Sequence, residues 1–216
     1  MNGGGLILHD YWRSSAAFRV RIALNLKGIA YTSVPHDLRT GAQGAPEYRA
    51  LAPHALVPAL EHDGGTIIES LAIIEWLEAR WPTPALLPHE PDAAAHVRAM
   101  ALLVACDIHP LNNLRVVEAL REDFGASCTE IARWMAHWMD EGFAALEVLV
   151  ARGGGRFCHG DTPTLADCCL IPQLANARRF CVDLAPYPRL VAVETTALEH
   201  PAFAAAHPSR QVGAEV

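Results

Sequence analysis

Three prolines in seven residues, Pro82, Pro84 and Pro88, divide the 216-residue chain into two stretches with different hydrophobic periodicity. Proline has no backbone N–H and biases the residue before it towards extended backbone, so such a run stops a helix and reads as a linker. Before it, short apolar runs alternate with helical stripes. Leu6-Ile7-Leu8 reads as a buried strand. Ala16 to Lys27 reads as a helix, with Phe18, Ile22 and Leu26 on one stripe and Val20 and Leu24 beside it. Ser14 or Ser15 would cap its start and Gly28 would stop it. Ile29 to Val34 reads as a second strand, and two strands around one crossover helix predict a parallel, right-handed βαβ unit. A polar loop (39–45) and a short helix (46–51) follow. Two strand-like runs, 57–62 and 66–69, then flank Asp63-Gly64, a strong hairpin signal, and Ser70 begins a helix striped by Leu71, Ile74, Leu77 and Trp81.

After the prolines strand signals fade. Helices are expected over 92–107, 128–152 and 165–180, with shorter ones between 112 and 124 and between 189 and 198. Thr164-Leu165-Ala166-Asp167 is a capping box with Asp in place of the usual Glu or Gln, which gives Asp167 a structural role. The fold class is therefore α/β plus all-α: a thioredoxin-like domain over residues 1–82, a linker over 83–88 and a helical domain over 89–216.

The chain is 51% hydrophobic and 19% charged, enough to bury a core. Its formal net charge of -7 argues against nucleic acid or an anionic membrane as partner. The N-terminus lacks a basic segment followed by a long apolar one, and no apolar run approaches the ~18 residues of a membrane span. None of the six cysteines forms a C-x-x-C pair, so neither a zinc ribbon nor a dithiol motif is expected and no metal site is assigned. They read as reduced thiols in the core of a cytoplasmic protein.

Five segments in this order resemble the zeta class of the glutathione transferase superfamily: Arg13-Ser14-Ser15 with the run Phe18 to Leu24; Leu56-Val57-Pro58-Ala59-Leu60; the run Glu69 to Glu75; Asp107-Ile108-His109-Pro110-Leu111-Asn112-Asn113; and the run Gly160 to Asp167. The best-known members of that class are maleylacetoacetate isomerases, and bacterial maleylpyruvate isomerases share most of the pattern. The resemblance covers nearly the whole chain. It implies a homodimer with glutathione as cofactor, working in tyrosine and phenylalanine breakdown, with a cleft between the two domains.

What the residues can do fits that implication. A free thiol has a pKa of about 8.5, and lowering it by ~2 units needs roughly 2.7 kcal/mol of preferential stabilisation of the anion. The start of the Ala16 helix offers unpaired N–H groups and the positive end of a dipole. Ser14 and Ser15 are assigned to the sulfur; the resemblance favours Ser15 as direct donor, and the plain alternative is a simple N-cap serine. By resemblance, Val57-Pro58 is a cis bond whose preceding backbone pairs with the cysteinyl part of glutathione; the alternative is an ordinary trans proline opening a strand. Ser70 suits the γ-glutamyl carboxylate, Glu69 its ammonium, and Gln43 matches a position at the glycyl end.

A dicarboxylate substrate needs local positive charge on an acidic protein, and arginine grips carboxylates with a planar fork. The candidates are Arg13 beside the sulfur loop, Arg115, and Arg179 with Arg178 as alternative; for each, a solvated surface charge is the plain reading. His109 and Asn113 match positions near glutathione; His109 either orients substrate or donates a proton, or is a packed histidine next to Pro110.

Many zeta-class members carry cysteine and then serine after the serine pair, where this chain has Ala16 and Ala17. The nucleophilic sulfur must then come from glutathione. The mechanism implied is thiolate addition to the cis double bond of a maleyl diketo acid, rotation about the resulting single bond, and elimination to the fumaryl isomer. The rival readings are maleylpyruvate isomerisation, general glutathione conjugation or dehalogenation of small electrophiles, and a non-catalytic module of the same fold.

Overall fold

The computed structural model describes residues 5–214; the first four residues, part of the N-terminal stretch read above, and the last two lie outside them. The chain forms two compact units, one running to Leu86 and resuming at Glu199, the other Leu87–Leu198. The first unit contains β1 (Leu6–Asp10), α1 (Ser15–Leu26), β2 (Tyr31–Pro35), α2 (Pro46–Leu51), β3 (Ala59–His62), β4 (Gly65–Ile68) and α3 (Ser70–Arg80). The second contains α4 (Pro91–Leu102), α5 (Leu114–Glu122), α6 (Cys128–Gly153), α7 (Leu165–Arg179) and α8 (Pro188–Glu199), after which α9 (Pro201–Ala206) belongs to the first unit.

The sheet has the order β2-β1-β3-β4. β1 and β2 are parallel, as a βαβ unit requires, and β3 runs antiparallel to both β1 and β4. Asp63 and Gly64 form the two-residue hairpin turn closed by His62 opposite Gly65. α1 is buried from Ala17 through Leu24, because α3 and α9 both pack against it. That burial takes in two arginines, Arg19 and Arg21, which therefore need polar partners. Arg21 donates through Nη1 to both oxygens of Asp10 at 2.7 and 2.8 Å, through Nε to the Ala206 carbonyl and through Nη2 to the Trp12 carbonyl.

A second polar thread crosses the sheet. His9 Nε2 lies 2.7 Å from Glu61 Oε1, and His9 Nδ1 lies 2.8 Å from His36 Nε2. Neutral tautomers satisfy both bonds in one direction, His36 donating to His9 and His9 to Glu61. Burial of the His36 ring, together with the neighbouring His9, pushes its pKa down and favours the neutral form.

Two boundaries differ from the sequence reading. The sequence reading places residues 89–216 in the helical half, but from Glu199 onward the described residues belong to the first unit, with α9 packed on α1. The buried Arg21 needs a further acceptor, and the carbonyl end of α9 supplies it, while Asn25 Nδ2 donates to the Ala202 carbonyl. The segment read as a linker over 83–88 is held in the first unit as far as Leu86. Lys27, the only lysine, is buried and donates to the carbonyls of Trp81 and Pro84 while pairing with Glu78, which in turn accepts from the Leu86 amide.

In the second unit the helix expected over 92–107 is α4 followed by a π-helical stretch, Leu103–Ile108, and a 3₁₀ turn, His109–Asn112. Pro91–Glu122 contains an 18-residue window of mean hydropathy 1.2; its apolar residues Val97, Met100, Ala101, Val104 and Ile108 are buried within the unit, where the helix packs on α7 and α6. All six cysteines are free; Cys158, Cys168 and Cys169 lie in the core as expected, whereas Cys106, Cys128 and Cys181 are exposed.

Asp167 is fully buried and accepts hydrogen bonds from the amides of Cys158 and Thr164 and from the Thr164 hydroxyl. Burial pushes its carboxyl up, and those donors oppose the rise. Asp167→Ala strands two buried amide donors and removes half of the capping box, so it should cost about 2–4 kcal/mol of unfolding free energy, measured by urea titration. A loss below about 0.5 kcal/mol would show that the box does not hold α7.

Candidate functional site

Because β1 and β4 are each antiparallel to β3, they point the same way. His9, Ala59 and Ile68 form one row across the three strands at the carboxyl end of β1 and β4. The helices α1 and α3, which follow those strands, begin at that end, and Val57-Pro58 enters β3 there. Ligands of open sheets with helical connections gather beyond the carboxyl ends of strands for this reason. The topology thus brings together Arg13, Ser14, Ser15, Val57, Pro58, Glu69 and Ser70.

The turn from β1 into α1 is fixed by its own backbone, the Ser14 amide donating to the Tyr11 carbonyl at 2.9 Å. Ser14 is the N-cap: its Oγ accepts from the Ala17 amide at 3.2 Å. Ser15 is the first helical residue, and among the described residues its hydroxyl has no hydrogen-bond partner. The Ser14 hydroxyl is thus engaged in the cap, whereas the Ser15 hydroxyl is open to a ligand. The Arg13 guanidinium lies over the rings of Trp12 at 5.3 Å and Tyr11 at 5.9 Å. Trp12 and Tyr11 in turn pack with Val57 and Tyr48 in a cluster under the turn.

The Val57–Pro58 bond is cis. Glu69, between β4 and α3, has φ 70°, a left-handed backbone that non-glycine residues rarely adopt. It gives α3 no side-chain cap, so the first-turn amides of α3 are not covered by their N-cap residue. The Glu69 carboxylate is exposed and lies 3.9 Å from His54 Nε2. The Ser70 side chain is buried, and its hydroxyl accepts from Arg19 Nη1 at 3.2 Å. Arg19 and His54 were not singled out from sequence: Arg19 falls inside an apolar helical stretch where an arginine reads as a surface position, and His54 sits in an irregular connection with no periodic signal.

Gln43 lies on a 3₁₀ turn (Ala42–Gly44) in the connection between β2 and α2. Its Oε1 is buried and without a hydrogen-bond partner among the described residues. Gly41 takes φ 74° between this turn and the preceding one, Leu38–Thr40. At the head of the connection the Arg39 guanidinium holds the Asp37 carboxyl down at about 2.

The remaining candidates belong to the second unit. His109 opens the 3₁₀ turn that follows the π-helical stretch, a helical irregularity frequent at functional positions. The stretch comes close to α6 at Gly142, where a Cβ would sit 2.2 Å from Ile108 Cδ1. Asn113 caps α5 by accepting from the Arg115 amide at 3.3 Å, and Arg115 itself is exposed. Arg178 and Arg179 end α7 and differ sharply. Arg178 forks onto the buried Glu194 through Nε and Nη2, which raises the arginine's pKa further. Arg179 stacks its guanidinium over Phe180 at 4.6 Å. No group of three or more His, Cys, Asp or Glu residues able to hold a metal ion is found among the described residues. Burial pushes the Cys158 thiol well up, which leaves it unreactive as a nucleophile.

Residues 8–85 match the family model of the glutathione S-transferase N-terminal domain, and residues 130–193 that of the C-terminal domain. The maleylpyruvate isomerase of Ralstonia sp is 48% identical over 206 residues, covering 94% of this chain and 97% of that protein. The maleylacetoacetate isomerase of Rhizobium meliloti (strain 1021) is 50% identical over 207 residues, covering 94% and 96%. The crystal structure of maleylacetoacetate isomerase from Methylobacterium extorquens AM1 with bound malonate and GSH matches with a TM-score of 0.94 at 42% identity, covering 97% of this chain and all of that one.

The geometry separates the two serines by experiment. Ser14→Ala should lower unfolding free energy by about 1 kcal/mol through loss of the cap, and Ser15→Ala should change it by less than about 0.5 kcal/mol. Thermal or urea unfolding of both variants measures this; equal losses would remove the distinction.

Proposed function

The chain belongs to the glutathione transferase family, in the zeta class of maleylacetoacetate and maleylpyruvate isomerases, and on that premise we propose that it isomerises maleylacetoacetate to fumarylacetoacetate with glutathione as cofactor. One observation carries the reading of the site. Two helix starts, one bearing an uncommitted serine hydroxyl and the other uncapped, meet a cis-proline at a single sheet end.

That end fits glutathione by chemistry. The uncapped amides of α3 and the Ser70 hydroxyl suit the γ-glutamyl carboxylate, and the exposed Glu69 carboxylate suits the ammonium beside it. The backbone of Val57 suits the cysteinyl amide, and the buried Gln43 Oε1, which has no partner among the described residues, suits the N–H at the glycyl end. The start of α1 and the Ser15 hydroxyl would stabilise a thiolate. Bound glutathione supplies the nucleophilic sulfur whose reversible addition to the maleyl double bond permits the change from cis to trans.

Arg13, Arg115 and Arg179 are the arginines proposed to bind the two carboxylates and the charge that develops between them. Arg178 is set aside from that group because Glu194 occupies its fork. His109 and Asn113 are assigned to the glutathione side. We place the enzyme in the cytoplasm as a homodimer; six free thiols suit a reducing compartment.

Turnover on maleylacetoacetate and on maleylpyruvate, each with and without glutathione, tests the function. The expected result is isomerisation that requires glutathione and is faster on maleylacetoacetate. Preference for the shorter acid would assign the activity of the Ralstonia relative instead, and no turnover on either would end the proposal. Within the same assay Ser15→Ala should raise the pKa of the bound thiol, read as thiolate absorbance against pH.

The two arginines closing α7 should separate in the same way. Arg179→Ala should lower kcat/KM for the diacid about tenfold or more while leaving glutathione affinity unchanged. Arg178→Ala should act on stability, by about 1–3 kcal/mol, because it strands a buried glutamate, the loss being moderated by the 53% exposure of Arg178 itself. An unchanged kcat/KM in Arg179→Ala would remove Arg179 from the site.

A further inference from the structure

Arg19 has a guanidinium that is almost wholly inside the protein, on a helix whose other buried arginine, Arg21, is bound by Asp10 and by the Ala206 and Trp12 carbonyls. Its exposure is 2%, and its Nη1 donates to the Ser70 hydroxyl at 3.2 Å. Two features make that bond more than packing. A serine hydroxyl has one proton to give and two lone pairs to receive, and a guanidinium is donor only. With Arg19 on one lone pair, the Ser70 proton cannot point back at α1 and has to seek an acceptor elsewhere. Among the described residues the Ser70 hydroxyl has no such acceptor.

The second feature is placement. Ser70 is the first residue of an 11-residue helix whose N-cap residue supplies no side-chain cap, so the hydroxyl proton and the free first-turn amides belong to one anion-seeking surface. Arg19 also follows Ser15 by four positions on α1, which puts the two on the same face one turn apart. One buried cation thus stands behind both helix starts.

We propose that Arg19 is a positioning residue for glutathione: it orients the Ser70 hydroxyl so that its proton faces the γ-glutamyl carboxylate, and its charge supports the anion held at the start of α1. This rests on the glutathione reading of the site. Arg19 touches no reacting atom; it acts through Ser70 and through the field at the sheet end.

The test is calorimetric binding of S-methylglutathione, which removes thiol ionisation from the measurement, to the full-length wild type, Arg19→Gln, Ser70→Ala and the double variant. Wild-type binding establishes the reading independently; its absence would overturn the reading itself rather than the role of Arg19. Given that binding, Arg19→Gln should weaken it about tenfold or more, and the same change made on Ser70→Ala should cost less than about threefold, because the hydroxyl it orients is gone. Equal losses in both backgrounds, or no loss in either, would overturn the proposal.

A second readout uses glutathione and the pH dependence of its bound thiolate absorbance. Arg19→Gln should raise the bound thiol pKa, whereas Arg19→Lys, which keeps the charge, should hold it near the wild-type value while still losing part of the affinity. If Arg19→Gln does not fold, the cycle is run with Arg19→Lys, where an affinity loss equal in the two Ser70 backgrounds again overturns the proposal. A thiol pKa that does not distinguish Gln from Lys would refute the electrostatic half.

Discussion

One buried ion pair holds the candidate-site end of the first unit in shape. Arg21 is wholly inside the protein, and its guanidinium reaches three segments at once: both Asp10 oxygens at the end of β1, the Trp12 carbonyl in the turn, and the Ala206 carbonyl at the end of α9. Asp10 completes the junction through its backbone, its carbonyl accepting from the His36 amide at 2.7 Å. Desolvating both charges costs several kcal/mol, and only such dense hydrogen bonding offsets it. The gain is conformational: the turn carrying Arg13, Ser14 and Ser15 leaves β1 in one geometry. It lies between a strand and a helix that a single cation has joined.

On that frame the local field of the site opposes the protein's overall charge. The formal net charge of -7 would repel a diacid and a tripeptide anion alike. Strand direction reverses this locally. Because β1 and β4 run the same way, α1 and α3 present their positive ends together, with Arg13 in the turn and Arg19 beneath. None of this depends on the total charge of the chain, since exposed charges beyond about 10 Å are screened at ordinary salt while helix starts and buried arginines act at contact range.

Much of this was legible in the sequence, for identifiable reasons. The alternation of apolar runs in the first half reflects a sheet covered by helices, and Asp63-Gly64 permits few connections other than a tight hairpin. The caps at Ser14 and Thr164 are local, involving residues within one turn, so their signals lie side by side in the chain. What escaped is non-local. Arg19 and Arg21 look like solvated positions until α3 and α9 close over α1. The return of α9 to the first unit is set by a bond spanning 185 residues, from Arg21 to Ala206. No periodicity encodes it. The proposed preference for Arg179 over Arg178 likewise rests on Glu194, one helix away, and not on anything adjacent.

The alanines at positions 16 and 17 place a further demand on the site. The start of α1 carries no thiol of its own, and in this family the reactive sulfur is borrowed from glutathione, a diffusible molecule. A borrowed nucleophile must be oriented afresh at each binding event, and that orientation draws on interactions made far from the sulfur. On the proposed reading, the groups assigned to the γ-glutamyl end would therefore contribute to catalysis without meeting the double bond. The buried contact between α1 and α3 ties the start that would hold the sulfur to the start that would hold the distant carboxylate. On that reading a shift of either helix would misplace both ends of the tripeptide together, and packing between those two helices would bear on reactivity as directly as the serine proposed to face the sulfur.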